Sequence, residues 1–270
     1  MSMMLRMAGT LGQRRMSPLH PMTRDYIARL KAVDGHEPAF DSANDYLIRE
    51  LVNLGGAYWD TMGTMTTLCG KLFAGLLVPL RDGMNVGTNV NFVAGDFNAK
   101  TGLVGDGSSK YIDSNRNNNA DGQDDQAIGC WINTAHAGSV SGGPRYMGAG
   151  TTSSGATQFG RTTTGQFSRN NSSTSSVYSG TAAAVGYAGL NRNNSSDYQH
   201  RANGANQTNT VSSQTPFNAN IAVFCDLAGT GPAAFSDGRL SLYHIGPALN
   251  LATLDGILTE YMARIDEVTL

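Results

Sequence analysis

Charge is what this sequence has least of. Only 15% of its 270 residues are charged, against about a quarter in ordinary globular chains. The formal net charge is −2, which gives no whole-chain electrostatic case for binding nucleic acid. No glutamate occurs between Glu50 and Glu260, and no lysine follows Lys110. A glycosidase needs two carboxyl groups facing one bond. The middle of the chain would have to supply both from aspartate, with Asp96, Asp106, Asp113 and Asp226 in or near strand-like runs. Enzymatic cleavage is therefore not expected.

Cysteine is scarce too. Cys69, Cys130 and Cys225 are odd in number and show no CxxC spacing, which argues against a disulfide framework and a zinc site. Cys130 in "AIGCWIN" and Cys225 in "IAVFCDL" read as buried small hydrophobes. The five histidines are scattered, without an i, i+4 pair. "GSVSGG" fails the nucleophile-elbow spacing, "GDGSSK" lacks the Gly-Lys-Ser/Thr ending of a phosphate loop, and "GAGTTSSG" lacks the third dinucleotide glycine. Each reads as a turn. Long apolar runs are missing as well. "LFAGLLVPL" (Leu72–Leu80) is too short to span a bilayer, and the first 20 residues hold no apolar core of a secretion signal. The expectation is a protein made in a cytoplasm that stays soluble or assembles there, with no membrane span, nucleic acid or cofactor.

Glycine is abundant, at 33 residues, and the surface must be built from Asn, Ser, Thr and Gly. Three regions separate by composition. Residues 1–20 form an extended arm with five methionines, three arginines and no acid. Met3, Met4, Leu5, Met7, Leu11 and Met16 would gain order by lying in an irregular groove of another subunit; a loose terminus is the plain alternative. Residues 21–83 read as a helical anchoring segment. Pro21 suits the first turn of "MTRDYIARLKAV", with Tyr26, Ile27, Leu30 and Val33 on one face. Asp41 or Ser42 can cap "ANDYLIRELVNL", with Tyr46, Leu47, Leu51 and Leu54 on one face. "AYWDTMGTMTTLCGKLFAGLL" reads as a weaker helix interrupted by Gly63 and Gly70.

Residues 84–270 read as mainly β with a C-terminal helix. Short β-branched and aromatic runs recur about every 8–15 residues between Gly, Asn, Asp and Ser clusters, the spacing of a sandwich rather than of βαβ units. Cys130, Trp131, Ile132, Val223, Phe224, Leu240, Leu242 and Tyr243 are candidates for strands close to the core. "LNLATLDGILTEYMARI" carries a helical stripe of Leu251, Leu254, Leu258, Tyr261 and Ile265.

Arg-Asn-Asn occurs three times, in "NRNN" (Asn115–Asn118), "SRNNSS" (Ser168–Ser173) and "NRNNSS" (Asn191–Ser196). Asparagine tolerates positive φ and bonds to nearby backbone, so the favoured reading is one turn solution used repeatedly. The alternative is a ligand site in which Arg116, Arg169 and Arg192 converge, with Tyr178, Tyr187 and Tyr198 as aromatic platforms. It draws on the span from Gln126 to Cys225, where Asp197 is the only acid beside five arginines. A calcium loop is a further candidate. Asp113, Asn115, Asn117, Asp121 and Asp124 fall at loop positions 1, 3, 5, 9 and 12, although Asn118 replaces the usual glycine and no helices flank the loop.

"GDFNAKTGLVGDGSSKYIDSNRNNNAD" (Gly95–Asp121), "FSRNN", "DGRLSLYHIGPALNLATLDGILTEYMARI" (Asp237–Ile265) and "RDYIARLKAVDG" (Arg24–Gly35) resemble a family of bacteriophage and prophage virion proteins. The resemblance covers most of the chain from about residue 24 and leaves out the arm. It implies a concanavalin A-like, laminin-G-like jelly roll and a tail, fibre or other structural component, without established catalytic residues. It also implies other virion proteins as partners, location in the virion, and, for a projecting fibre, homo-oligomerisation as a trimer. A capsid decoration or head spike, or a module binding host-surface polysaccharide, is the alternative.

Overall fold

A computed structural model of the chain describes residues 18–137 and 143–270. The arm positions Met3, Met4, Leu5, Met7, Leu11 and Met16 lie outside the described residues.

Two helices open the fold. α1 is Pro21–Lys31, with Pro21 in its first turn. A single 3-10 turn, Pro38–Phe40, leads into α2, Asp41–Leu54. Tyr26, Ile27 and Leu30 are buried as the spacing predicts, but Val33 lies past the helix end and is exposed. Leu54 is likewise exposed on the last turn of α2. Asp41 does not cap α2; its carboxylate pairs with His36 at 2.9 Å.

The third expected helix is not formed. Its centre is β1, Thr64–Thr67, flanked by 3-10 turns at Gly56–Tyr58 and Phe73–Gly75. Clustered threonines favour a strand, and Gly70 adopts φ +71°. At Gly63 a Cβ would stand 2.1 Å from the Arg116 guanidinium, so only glycine lets that side chain pass.

The remaining strands follow in order: β2 Thr88–Val90, β3 Phe97–Asn98, β4 Gly102–Val104, β5 Tyr111–Asn117, β6 Gln126–Thr134, β7 Arg145–Ala149, β8 Thr157–Arg161, β9 Gly165–Arg169 and β10 Ser176–Ser179. Then come β11 Gly186–Arg192, β12 Tyr198–Ala202, β13 Ala205–Asn209, β14 Asn220–Val223, β15 Asp226–Ala228, β16 Gly231–Ala233 and β17 Arg239–Gly246. The chain ends in α3, Leu251–Glu267.

These strands form two sheets, a β-sandwich. The first runs β13-β12-β11-β6-β17-β4-β3, and the second runs β10-β9-β8-β7-β14-β5-β2. Pairing is antiparallel apart from one parallel bridge, Leu227 to Ala149. β17 shares one edge between two partners. β4 pairs with Arg239 and Leu240, and β1 pairs with Leu242–Ile245. The segment 21–83 therefore contributes a strand to the sandwich as well as its helices.

The centre of the first sheet is buried on both faces, and strand alternation divides its side chains between two cores. Ile128, Cys130, Ile132, Ala188, Leu190, Leu240, Tyr243 and Ile245 meet the second sheet. Ala127, Tyr187 and Leu242 meet the helices, where the α3 stripe Leu251, Leu254, Leu258, Tyr261 and Ile265 packs with Leu30, Leu47 and Leu51. Each fully buried leucine contributes about 1.5–3 kcal/mol relative to exposure. Trp131 is only half-buried. Phe224 is buried but lies between β14 and β15 at φ +73° rather than in a strand.

Candidate functional site: an amide-lined groove beside the Arg-Asn-Asn turns

Two of the Arg-Asn-Asn segments meet at one end of the sandwich through their asparagines, and the third joins them through Arg192, which donates to Asn170 O. Asn118 donates to Asn171 Oδ1 at 3.2 Å and to Gly155 O at 3.0 Å. Gln126 donates to the Asn118 side chain at 3.0 Å. Thr157 donates to Gln126 at 2.8 Å and lies 3.0 Å from Asn171 Oδ1. All four are fully buried, so the network must satisfy itself.

The guanidinium groups are all taken up by the protein itself. Arg116 pairs with Asp121, Nε–Oδ2 at 3.1 Å and Nη2–Oδ1 at 2.5 Å. Arg169 donates to Thr151 O at 2.9 Å. Arg192 is fully buried and donates to Asn170 O at 2.9 Å, Asn194 O at 3.2 Å, Asp197 O at 3.0 Å and Val211 O at 2.9 Å. Burial lowers its pKa, and Asp124 is the first of the groups that oppose this. The three arginines do not converge as the alternative ligand-site reading required, because alternation turns Arg192 inward on the face of Ala188 and Leu190.

The tyrosines do not form a platform either. Tyr187 and Tyr198 are buried. Tyr187 Oη meets His244 Nε2 at 2.7 Å, and Tyr198 Oη lies 3.0 Å from Ser168 Oγ. Tyr178 packs edge-on against His200, with centroids 5.6 Å apart.

The calcium-loop positions are pulled apart by the strand. Asp113, Asn115 and Asn117 lie within β5, where Asn115 takes a left-handed φ of +54° at an irregularity in the pairing with β14. Asp113 Oδ1 accepts from Asn115 N at 2.8 Å and from Asn220 at 3.0 Å. Asn115 donates to Val86 O and Thr88 Oγ1 at 2.9 Å each. Asn117 donates to Asn218 at 2.9 Å, Asp121 holds Arg116, and Asp124 Oδ1 is buried without a hydrogen-bond partner. No group of three His, Cys, Asp or Glu is placed to hold a metal among the described residues.

The carboxylates considered for sugar cleavage stand apart, and of them Asp226 has both oxygens buried without a hydrogen-bond partner among the described residues. Asp96 pairs with Lys110 at 2.6 Å, and Asp106 accepts from the amides of Ser108, Ser109 and Lys110. Asp226 is buried near Arg145, and burial raises its pKa. Buried histidines are kept neutral by the same effect: His136 is pushed down to about 4, and His200 and His244 to about 3.

Sequence reasoning missed a groove of about 360 Å³ lined by Asn191, Asn193, Gln199, Asn206, Leu249 and Asn250. Strand parity builds it. Arg192 points inward, so Asn191 and Asn193 face the helix layer. Asn191 Oδ1 accepts from Leu249 N at 2.8 Å. Asn250 Oδ1 caps α3, accepting from Ala252 N at 2.9 Å and Thr253 N at 3.2 Å. A backbone N–H needs an acceptor, so both amides are fixed with oxygen toward the protein.

A longer relay orients Gln199. Asp255 on α3 holds Arg201 at 2.7 Å. Arg201 Nη1 donates to Asn206 Oδ1 at 2.9 Å, and Asn206 Nδ2 donates to Gln199 Oε1 at 3.2 Å. Asn193 Oδ1 accepts from Asn194 at 3.2 Å. The NH₂ groups of Asn191, Asn193, Gln199 and Asn250 donate to no protein atom among the described residues. The groove therefore presents four oriented amide donors. Tyr58 Oη stands at its rim, 3.1 Å from Asn250 N. The signal for this site was the Asn191-x-Asn193 spacing at a strand end and an asparagine cap at Asn250.

Fold and groove together define a β-sandwich protein with a polar groove that no charged side chain lines. No family model matches the chain, and no curated protein matches it. Among solved structures it is similar to domain 4 of AbnA, an extracellular arabinanase from Geobacillus stearothermophilus in complex with arabinotriose. That match has 12% identity and a TM-score of 0.44, and covers 73% of this chain and 98% of that one. It is also similar to the botulinum neurotoxin serotype D binding domain, at 8% identity and a TM-score of 0.49 over 74% of this chain and 51% of that one. A third is the binding domain of Paraclostridial Mosquitocidal Protein 1, at 13% identity and a TM-score of 0.43 over 75% and 52%. At these values the likeness carries no argument about ligand or activity.

Proposed function

We propose that this chain is a structural protein of a bacteriophage virion, a tail, fibre, spike or baseplate part, whose β-sandwich binds an uncharged host-surface glycan in the amide-lined groove. The observation that carries the binding half is the set of four amide donors held by their own oxygens. Sugar hydroxyl and acetamido oxygens accept such bonds. Pre-oriented donors avoid part of the ordering cost of binding. No charged side chain lines the groove, which favours a neutral glycan over an acidic one.

The virion half rests on the sequence resemblance. The resembling segments Gly95–Asp121 and Asp237–Ile265 fold as one unit, since β4 pairs with β17 and β17 leads into α3. The two halves are tested separately. Purified particles probed with antibody against the chain should carry it; particles without it overturn the virion assignment. Neutral and acidic polysaccharides titrated against the protein should show binding to neutral ones only. Asn193→Ala and Gln199→Ala should each weaken it about three- to tenfold, the worth of one net hydrogen bond. Unchanged affinity in both variants, or a preference for acidic chains, removes the groove from the account.

A further inference from the structure

A second groove, of about 400 Å³, lies between the end of α1 and residues 74–86, with Val33, Ala74, Leu77, Pro79, Met84 and Val86 in its walls. Val33 and Val86 are 44% and 55% exposed, so apolar surface faces solvent here. Two charged residues stand at its margin. Arg29 is committed, donating to Pro79 O at 2.7 Å, Leu80 O at 2.8 Å and Asp25 at 2.9 Å. Asp82 is exposed and has no ion pair among the described residues.

We propose that this groove receives the N-terminal arm, residues 1–17, of a neighbouring copy of the chain. The arm's composition fits. Met1, Met3, Met4, Leu5, Met7, Leu11 and Met16 offer flexible apolar side chains, while Arg6, Arg14 and Arg15 face no acid within the arm. Methionine fills irregular apolar clefts, and an arginine beside Asp82 would pair its charge. Seventeen residues reach up to about 55 Å when extended, far enough for a neighbour.

The arm departs from the start of α1, and the groove lies at that helix's other end. His20 N donates to Asp45 at 2.7 Å, and Pro18 O accepts from Arg49 at 2.6 Å. Arg49 is itself held by Asp45 at 2.5 Å, so both contacts fix Pro18 and His20 at one point on α2, beside the start of α1. The groove lies at the other end of α1, beside Ala32 and Val33.

The test uses the full chain. Light scattering should show an oligomer, and Val33→Glu with Val86→Glu should raise its dissociation constant at least tenfold. Both positions are exposed, so the fold should tolerate them. Independently, one preparation carries Val86→Cys and another Met7→Cys; mixed and oxidised, they should form disulfide-linked pairs. The native cysteines are buried and do not compete. Three results overturn the proposal: a monomeric wild type, an oligomer unaffected by the two glutamates, or disulfides that form within a chain carrying both cysteines but not between chains.

Discussion

Arg201 on β12 reaches the Asp255 carboxylate on α3 with both Nε and Nη2 at 2.7 Å, joining the first sheet to the helix layer. Both side chains are close to nine-tenths buried. Removing one partner leaves a buried charge uncompensated and costs about 3–5 kcal/mol, whereas replacing both with apolar residues costs far less. Asp255→Leu should therefore destabilise more than the Arg201→Met/Asp255→Leu double variant in urea unfolding. The double variant should still lose glycan affinity, because Asn206 and then Gln199 lose their orientation. A double variant as unstable as the single one, or with full affinity, contradicts this relay.

Acid should weaken the fold through its buried histidines. Burial holds His136 down to about 4 and His200 and His244 to about 3, while an unfolded histidine titrates near 6.5. Above about 6.5 both states are neutral and the stability is fully present. As pH falls from there toward 4 the unfolded chain takes up protons that the folded chain refuses. Each histidine then costs about 1.4 kcal/mol per pH unit. Unfolding free energies from pH 8 to pH 4 should show this decline, and His200→Met should reduce its slope by about a third. A flat profile between pH 6.5 and 4 would show these imidazoles to be solvated.

How much of this was legible depends on how local the signal is. The stripes of α1 and α3 could be read because side chains at i, i+3 and i+4 of one segment meet one core. β1 could not, since "TMTT" pairs with β17 across about two-thirds of the chain, and Met65 with the flanking Trp59 and Leu68 suits a helix equally well. The inward turn of Arg192 was readable in principle: it stands two residues after Leu190 and four after Ala188, on the same strand face. The groove was not, because its amides come from β11, β12, β13 and the α3 cap, and only the fold brings Asn250 to Asn191.

Lys71 makes the opposite kind of test, a charge the fold would gain by losing. It is fully buried, donates to Val78 O at 3.1 Å and lies 5.8 Å from the Tyr26 ring. Burial pushes its pKa down to about 7, against about 10.4 when unfolded. The folded value is the lower one, so stability is fully present above about 10.4 and is lost as pH falls toward 7. Lys71→Met removes that loss and keeps the packing. It should stabilise the protein by about 2 kcal/mol at pH 7, after allowing for the lost hydrogen bond. The advantage should vanish by about pH 10. A variant less stable than wild type at pH 7 would mean that the ammonium is better solvated than its burial implies.

Arg192 tests what the repeated Arg-Asn-Asn segments are for. Its guanidinium closes one end of the sandwich by donating to carbonyls of Asn170, Asn194, Asp197 and Val211. These lie in the turns after β9, β11 and β13, so one side chain ties three loops together. Charged hydrogen bonds contribute about 1.5–3 kcal/mol each and do not simply add. Arg192→Ala should cost at least about 3 kcal/mol, and Arg192→Lys should recover less than half, because an ammonium cannot span four carbonyls in the planar fork. Arg169→Ala, which gives up one bond to Thr151 O, should cost about 1–2 kcal/mol. Glycan affinity of the folded Arg169 variant should be unchanged, since Arg169 does not line the groove. If Arg169→Ala abolishes glycan binding at full stability, these arginines face a ligand and the turn assignment fails.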